Sequence, residues 1–252
     1  MARKGRIVIK LSGSTFAPAA LPRLGEMAAA LARAPAALQP IAVAGGGEAA
    51  RTYISHARAA GADESALDEL GIYVSRLNAR LLIHHLGARA HPRPPETLRE
   101  AEDAAATGRI VVAGGLYPGQ STNGTAALLA ERLRAVELVN ATDVDAIYDR
   151  DPNRDAGAKR LRRVTVRDLR AMLAGEGSMA GGYDLMDMIA LKVIERSRMR
   201  ARVIRSDPRT VAAALRGRAA GTEIIHGGQG TGRSRSPRAS RQTRASRTRR
   251  AS

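Results

Sequence analysis

The chain has no cysteine, no tryptophan and a single phenylalanine among 252 residues. Without cysteine there is no disulfide framework, no thiolate metal site and no thiol nucleophile, and nothing argues against a reducing compartment. With five tyrosines and one phenylalanine as the only aromatics, the core must be built from Ala, Leu, Val and Ile. Long apolar runs are also missing. No stretch approaches the roughly 20 apolar residues of a membrane span, and the apolar run in the basic N-terminus "MARKGRIVIKL" is too short for a signal-peptide core. These absences lead to the expectation of a soluble, cytoplasmic protein with no membrane partner.

Acid is scarce at one end. The formal charge is +17, and residues 227–252, "GGQGTGRSRSPRASRQTRASRTRRAS", hold eight arginines and no carboxylate. Removing those eight leaves +9 on the body. The tail has no apolar residue larger than alanine, so it has no surface to bury and is expected to be disordered. It reads in two ways, as an arm that neutralises nucleic-acid phosphates or as an incidental extension. The absence of aromatics for base stacking favours the second.

In residues 1–226, 44% hydrophobic content over the chain suffices for a sizeable α/β core. Short apolar runs alternate with helical patterns. "RIVIKL" (6–11), "PIAVAGGG" (40–47), "RIVVAGG" (109–115), "VELVNAT" (136–142) and "ARVIRS" (201–206) read as strands, with "TEII" (222–225) as an edge strand. Among the helices, one places Leu67, Leu70, Val74, Leu77 and Leu81 along a single apolar face. The alternation predicts an α/β fold, a largely parallel sheet between helical layers, in one domain (1–226) followed by the tail (227–252).

In such sheets ligands gather where strands end and helices begin. Three of these junctions are built from small residues: "KLSGS" (10–14), "GGGEAAR" (45–51) and "GGLYPGQST" (114–122). Gly45, Gly46 and Gly47 allow close backbone approach to an anion at a helix N-terminus, with Arg51 one turn further on. The same triplet also suits tight strand–helix packing. Lys10 beside Ser12, Gly13 and Ser14 either places its ammonium on a phosphate or snorkels to solvent. The neutral loop 114–122 turns at Pro118-Gly119 and offers Ser121 or Thr122 as a cap for the next helix. No Walker A or dinucleotide glycine fingerprint is present.

"KLSGS", "GGGEAARTYI", "LDELGIYVSRLNARLL", "GGLYPGQSTNGTAALLAE", "NATDVDAIYDRDP" and "AGGYDLMDMIALKVIERS" follow one another in this order. Together they resemble the archaeal-type uridylate (UMP) kinases, a branch of the amino acid kinase family, from about residue 5 to residue 225. The resemblance implies a three-layer α/β/α sandwich that assembles as a homohexamer and moves the γ-phosphoryl group of ATP, carried with Mg²⁺, to UMP in pyrimidine nucleotide synthesis. It further implies that Lys10, Leu11, Ser12, Gly13, Ser14, Gly47 and Arg51 lie along ATP, Lys10 and Arg51 being catalytic, with Thr142, Tyr148 and Asp151 around its adenosine. Gly46, Asp68 and the loop Leu116, Tyr117, Pro118, Gly119, Gln120, Ser121 and Thr122 would hold UMP, and no metal would be bound by the protein itself. Ser65 and Asp68 also match a capping box, which makes helix initiation the rival reading of Asp68. Four residues depart from the family pattern: Asn123 stands where many relatives have Asp, Asp143 where Asn is common, Ala146 where Gly is common, and Met188 where Pro is common.

Overall fold

The computed structural model describes residues 4–150, 152, 155, 157–174, 186–218 and 221–227. Within them one sheet holds seven strands: β1 (Gly5–Leu11), β2 (Leu38–Ala44), β3 (Val111–Ala113), β4 (Glu137–Thr142), β5 (Arg163–Thr165), β6 (Ala201–Arg205) and β7 (Thr222–Ile225). Their order is β3-β2-β1-β4-β6-β7-β5. The helices are α1 (Leu24–Ala32), α2 (Gly47–Ala59), α3 (Glu64–Leu86), α4 (Leu98–Ala106), α5 (Thr122–Arg132), α6 (Val166–Ala174), α7 (Met188–Ser197) and α8 (Pro208–Leu215).

The five strands from β3 to β6 in that order are mutually parallel, with Lys10 of β1 opposite Val43 of β2 and Asn140 of β4. β1 shows why. Both its faces are buried, as the near-continuous apolar run of a central parallel strand requires. Ile7, Ile9 and Leu11 pack with Leu24, Met27 and Leu31 of α1, Leu82 and Leu86 of α3 and Leu215 of α8. Val8 faces the opposite layer, with Ala126 and Leu129 of α5 and Leu191 and Ile194 of α7. The result is the expected α/β/α sandwich. Alanine-rich helices lie close to the sheet, so few aromatics are needed, and the one phenylalanine, Phe16, is buried.

Two expectations are corrected. "TEII" is not an edge strand: β7 lies between β6 and β5, antiparallel to the first and parallel to the second. The outer strand β5 has only three residues, too few to leave an alternating pattern in the sequence. The apolar stripe on α3 is not one buried face either. Leu67 and Val74 are buried, but Leu77 is 59% and Leu81 36% exposed. A stripe repeating every seven residues drifts about 20° per heptad around a straight helix, and the inner face is completed by Ile72, Ser75, Asn78, Ala79 and Leu82.

Candidate active site

Because β3, β2, β1 and β4 are parallel, their carboxyl ends emerge along one edge, and the three small-residue junctions emerge with them. The first two touch through bare backbone. A Cβ on Gly13 would lie 2.1 Å from the Gly47 nitrogen, one on Gly47 2.5 Å from the Gly13 oxygen, and one on Gly45 2.7 Å from the Gly13 nitrogen. Gly47 also has a φ of +68°, a conformation that side chains resist. The Gly45 amide donates to the Leu11 carbonyl at 3.0 Å. Close packing and anion binding turn out to be compatible readings of the triplet. α2 starts at Gly47 with Gly46 as its cap and no side-chain acceptor on its first amides, so those N–H groups remain available at the edge.

Helix α3 holds two of the junctions in place. Asn78 Nδ2 donates to the carbonyls of Gly45 and Gly46 at 2.8 and 3.3 Å. Ser75 Oγ accepts from the Gly115 amide at 2.7 Å. Arg76 donates through Nε to the Gly115 carbonyl at 3.1 Å and pairs with Glu96 at 2.8 Å. About two turns earlier on α3, Asp68 Oδ2 accepts from the Gly119 amide at 2.6 Å. The capping-box reading of Asp68 is overturned: α3 is capped by Asp63, which accepts from the Ala66 amide at 2.9 Å, and both Ser65 and Asp68 lie inside the helix.

The loop after β3 turns at Gly119, φ +77°, and ends at Ser121, which caps α5 by accepting from the amides of Asn123 and Gly124 at 3.0 and 3.2 Å. The Ser121 hydroxyl donates to Asp187 Oδ2, while Asp187 Oδ1 caps α7 by accepting from Ala190 N at 2.6 Å. One hydroxyl therefore ties two helix N-termini together. Beside it, Gln120 Oε1, Asn123 Oδ1 and Thr125 Oγ1 are buried without a hydrogen-bond partner among the described residues. An unpaired buried polar atom costs about 1–3 kcal/mol, and three in consecutive turns need a reason such as a ligand.

The remaining expected residues fall as follows. Lys10 is 6% exposed and shares the face of Val8, on the side of the sheet covered by α5. Ser12 caps the short 3-10 turn Gly13–Phe16, and the Ser14 hydroxyl donates to Asp143 Oδ1. Arg51 is exposed on α2, one turn past Gly47, with no ion pair among the described residues. Leu11 and Leu116 have their side chains in the core, so only their backbones are available at the edge. Tyr117 is partly exposed, Pro118 exposed, and Thr122 opens α5. Thr142 ends β4, its carbonyl accepting from Ser206 N at 2.7 Å.

Tyr148 donates to Asp145 Oδ1 at 2.9 Å, and Arg160 lies 3.7 Å from the same carboxylate. That hydrogen bond, then burial, then the Asp145 charge raise the Tyr148 pKa above its ordinary value. Asp151 and the tail beyond Gly227 lie outside the described residues. Ser75, Arg76, Asn78 and Asp187 were not expected from the sequence. The one signal for Ser75 and Asn78 is a polar residue on the apolar face of a helix.

A mostly parallel sheet whose glycine junctions meet at the strand carboxyl ends is the arrangement of the open α/β proteins, in which ligands gather at that edge. The chain belongs to the amino acid kinase family, whose sequence model matches residues 5–205. A uridylate kinase of Methanoculleus marisnigri is 46% identical over 193 residues, 76% of this chain and 82% of the relative. One of Methanococcoides burtonii is 41% identical over 223 residues, 88% of this chain and 95% of the relative. The crystal structure of uridylate kinase from Archaeoglobus fulgidus superposes with a TM-score of 0.77 at 36% identity, covering 89% of this chain and all of that one.

Proposed function

We propose that this chain is a UMP kinase, which transfers the γ-phosphoryl group of ATP to UMP. The observation that supports it most is the contact of two junctions, Gly13 on Gly47, beside a third junction whose Gly119 amide is held by Asp68. In this reading the first pair cradles the ATP phosphates and the third, with Gly46 and Asp68, receives UMP. The family model spans all three segments, and relatives named uridylate kinase match this chain over 193 and 223 residues.

The acceptor is a phosphate oxygen, already largely ionised at neutral pH, so no general base is required. Catalysis rests on alignment and on cationic stabilisation of a loose transition state. Lys10 supplies a compact charge from the sheet, Arg51 reaches back from the first turn of α2, and the amides opening α2 and α5 add dipolar donors. In this reading magnesium enters on ATP and neutralises its phosphates. The donor set agrees with that: one carboxylate, Asp143, stands beside Ser14. Tyr73, Leu77 and Leu81, four apart on the outer face of α3 and all exposed, supply an apolar surface for assembly into the homohexamer. No described helix is long and apolar enough to cross a membrane, and a cytoplasmic site in pyrimidine nucleotide synthesis fits this activity.

A phosphoryl-transfer assay with ATP and magnesium across UMP, CMP, AMP, acetylglutamate and isopentenyl phosphate tests the reading. UMP should be the strongly preferred acceptor, and turnover of only a carboxylate or isopentenyl phosphate would sink it. The rival reading, a nucleic-acid-binding protein working through its arginine tail, has no support from the relatives. Deleting residues 227–252 should leave the transferase rate unchanged.

A further inference from the structure

Asp143 is the first residue past β4, and Ser14 lies just past β1. The two strands are hydrogen-bonded neighbours, with Leu11 opposite Ala141, so both residues leave the sheet at the same edge. Both are exposed, and the Ser14 hydroxyl donates to Asp143 Oδ1. Its amide donates to Ser12 Oγ at 3.3 Å, which fixes the serine against the Gly13–Gly47 contact. Asp143 Oδ2 makes no hydrogen bond among the described residues.

A neutral amide at 143 would accept the same Ser14 hydrogen bond. What the carboxylate adds is negative charge, one hydrogen bond away from the serine that the proposed function lays along the ATP phosphates. Two like charges about 4 Å apart at a protein surface repel enough to weaken binding by roughly tenfold or more. A magnesium ion reverses the sign, since it is a hard cation commonly held between one or two carboxylates and substrate phosphates. We propose that Asp143 makes the triphosphate site select the metal-complexed nucleotide and reject the free one. The proposal rests on the assignment of Ser12–Ser14 to ATP.

Calorimetry with a non-hydrolysable ATP analogue, with magnesium or with EDTA, separates the two questions. The wild type should bind the magnesium complex at least roughly tenfold more tightly than the free analogue. In Asp143→Asn and in Asp143→Ala, which removes the charge without adding a donor, that ratio should fall about fivefold or more, chiefly because the free analogue binds better. Both variants should melt close to the wild type, since residue 143 is exposed. A wild type that binds both forms alike, or variants that keep the wild-type ratio, would overturn the role of Asp143 and leave the kinase reading standing. A wild type that binds neither form overturns both.

Discussion

At the carboxyl end of β1, Lys10 keeps only 6% of its surface exposed. A lysine this buried is rare, because taking an ammonium group out of water is costly unless its charge is matched. Its neighbour across the strand pair, Asn140, is polar and buried too. A purely structural core would place apolar residues there. Lys10→Ala is therefore expected to lower turnover by about 10²–10³, with the far-ultraviolet circular dichroism and melting temperature nearly preserved. Near-normal turnover would refute the assigned role. Tyr148 gives a second residue-scale prediction. Its phenol donates to Asp145, and that bond first, then burial, raises its pKa above the ordinary 10.0. The folded state thus holds this proton more firmly than the unfolded one. The stabilisation is complete below pH 10 and is lost as pH rises through the folded value. Absorbance titration should show one tyrosine ionising later in the wild type than in Asp145→Ala, which removes the acceptor.

The junctions between elements make a contrast that can be measured. Gly47 and Gly119 both have positive φ, +68° and +77°, yet only Gly47 is hemmed in, with an added Cβ 2.5 Å from the Gly13 oxygen and nothing within 4 Å of one on Gly119. Gly119→Ala should cost about 1–2 kcal/mol, the left-handed penalty alone, and keep the amide that donates to Asp68. Gly47→Ala adds an overpacking term of about 1–3 kcal/mol and pushes two junctions apart, so it should also abolish binding of the triphosphate. Equal denaturation midpoints for the two variants would contradict this. Such junctions were legible in the sequence because close backbone approach demands glycine locally, and a run of small residues after an apolar strand displays that demand. The elements that hold the junctions were not legible. Asn78 meets Gly45 across 33 residues and Ser75 meets Gly115 across 40, and a pairing of that length leaves no period in the chain. Asp187 is legible at most as a helix cap. Its bond to Ser121 joins residues 66 apart, and only the packing of α5 on α7 brings them together.

On the scale of the whole molecule, the sheet order sends four strand ends to one edge, and the helical layers bury both faces of the central strands. One apolar stretch left on the surface is the outer side of α3, where Tyr73 is 60% and Leu77 59% exposed with Leu81 one turn further on. A chain this short of large apolar residues does not leave three of them in a row on water without consequence, since burying a leucine is worth about 1.5–3 kcal/mol. The helix is 23 residues long, and a two-fold pairing of such faces uses each residue twice. If copies pair through this face, a charge placed there is doubled between them while leaving the monomer core alone. The double variant Leu77→Asp, Leu81→Asp should sediment as a smaller species than the wild type, with unchanged circular dichroism, because neither residue contributes to the buried clusters on either side of the sheet. A double variant that keeps the wild-type sedimentation coefficient, or a wild type already monomeric at micromolar concentration, would show that this face is not where the copies meet.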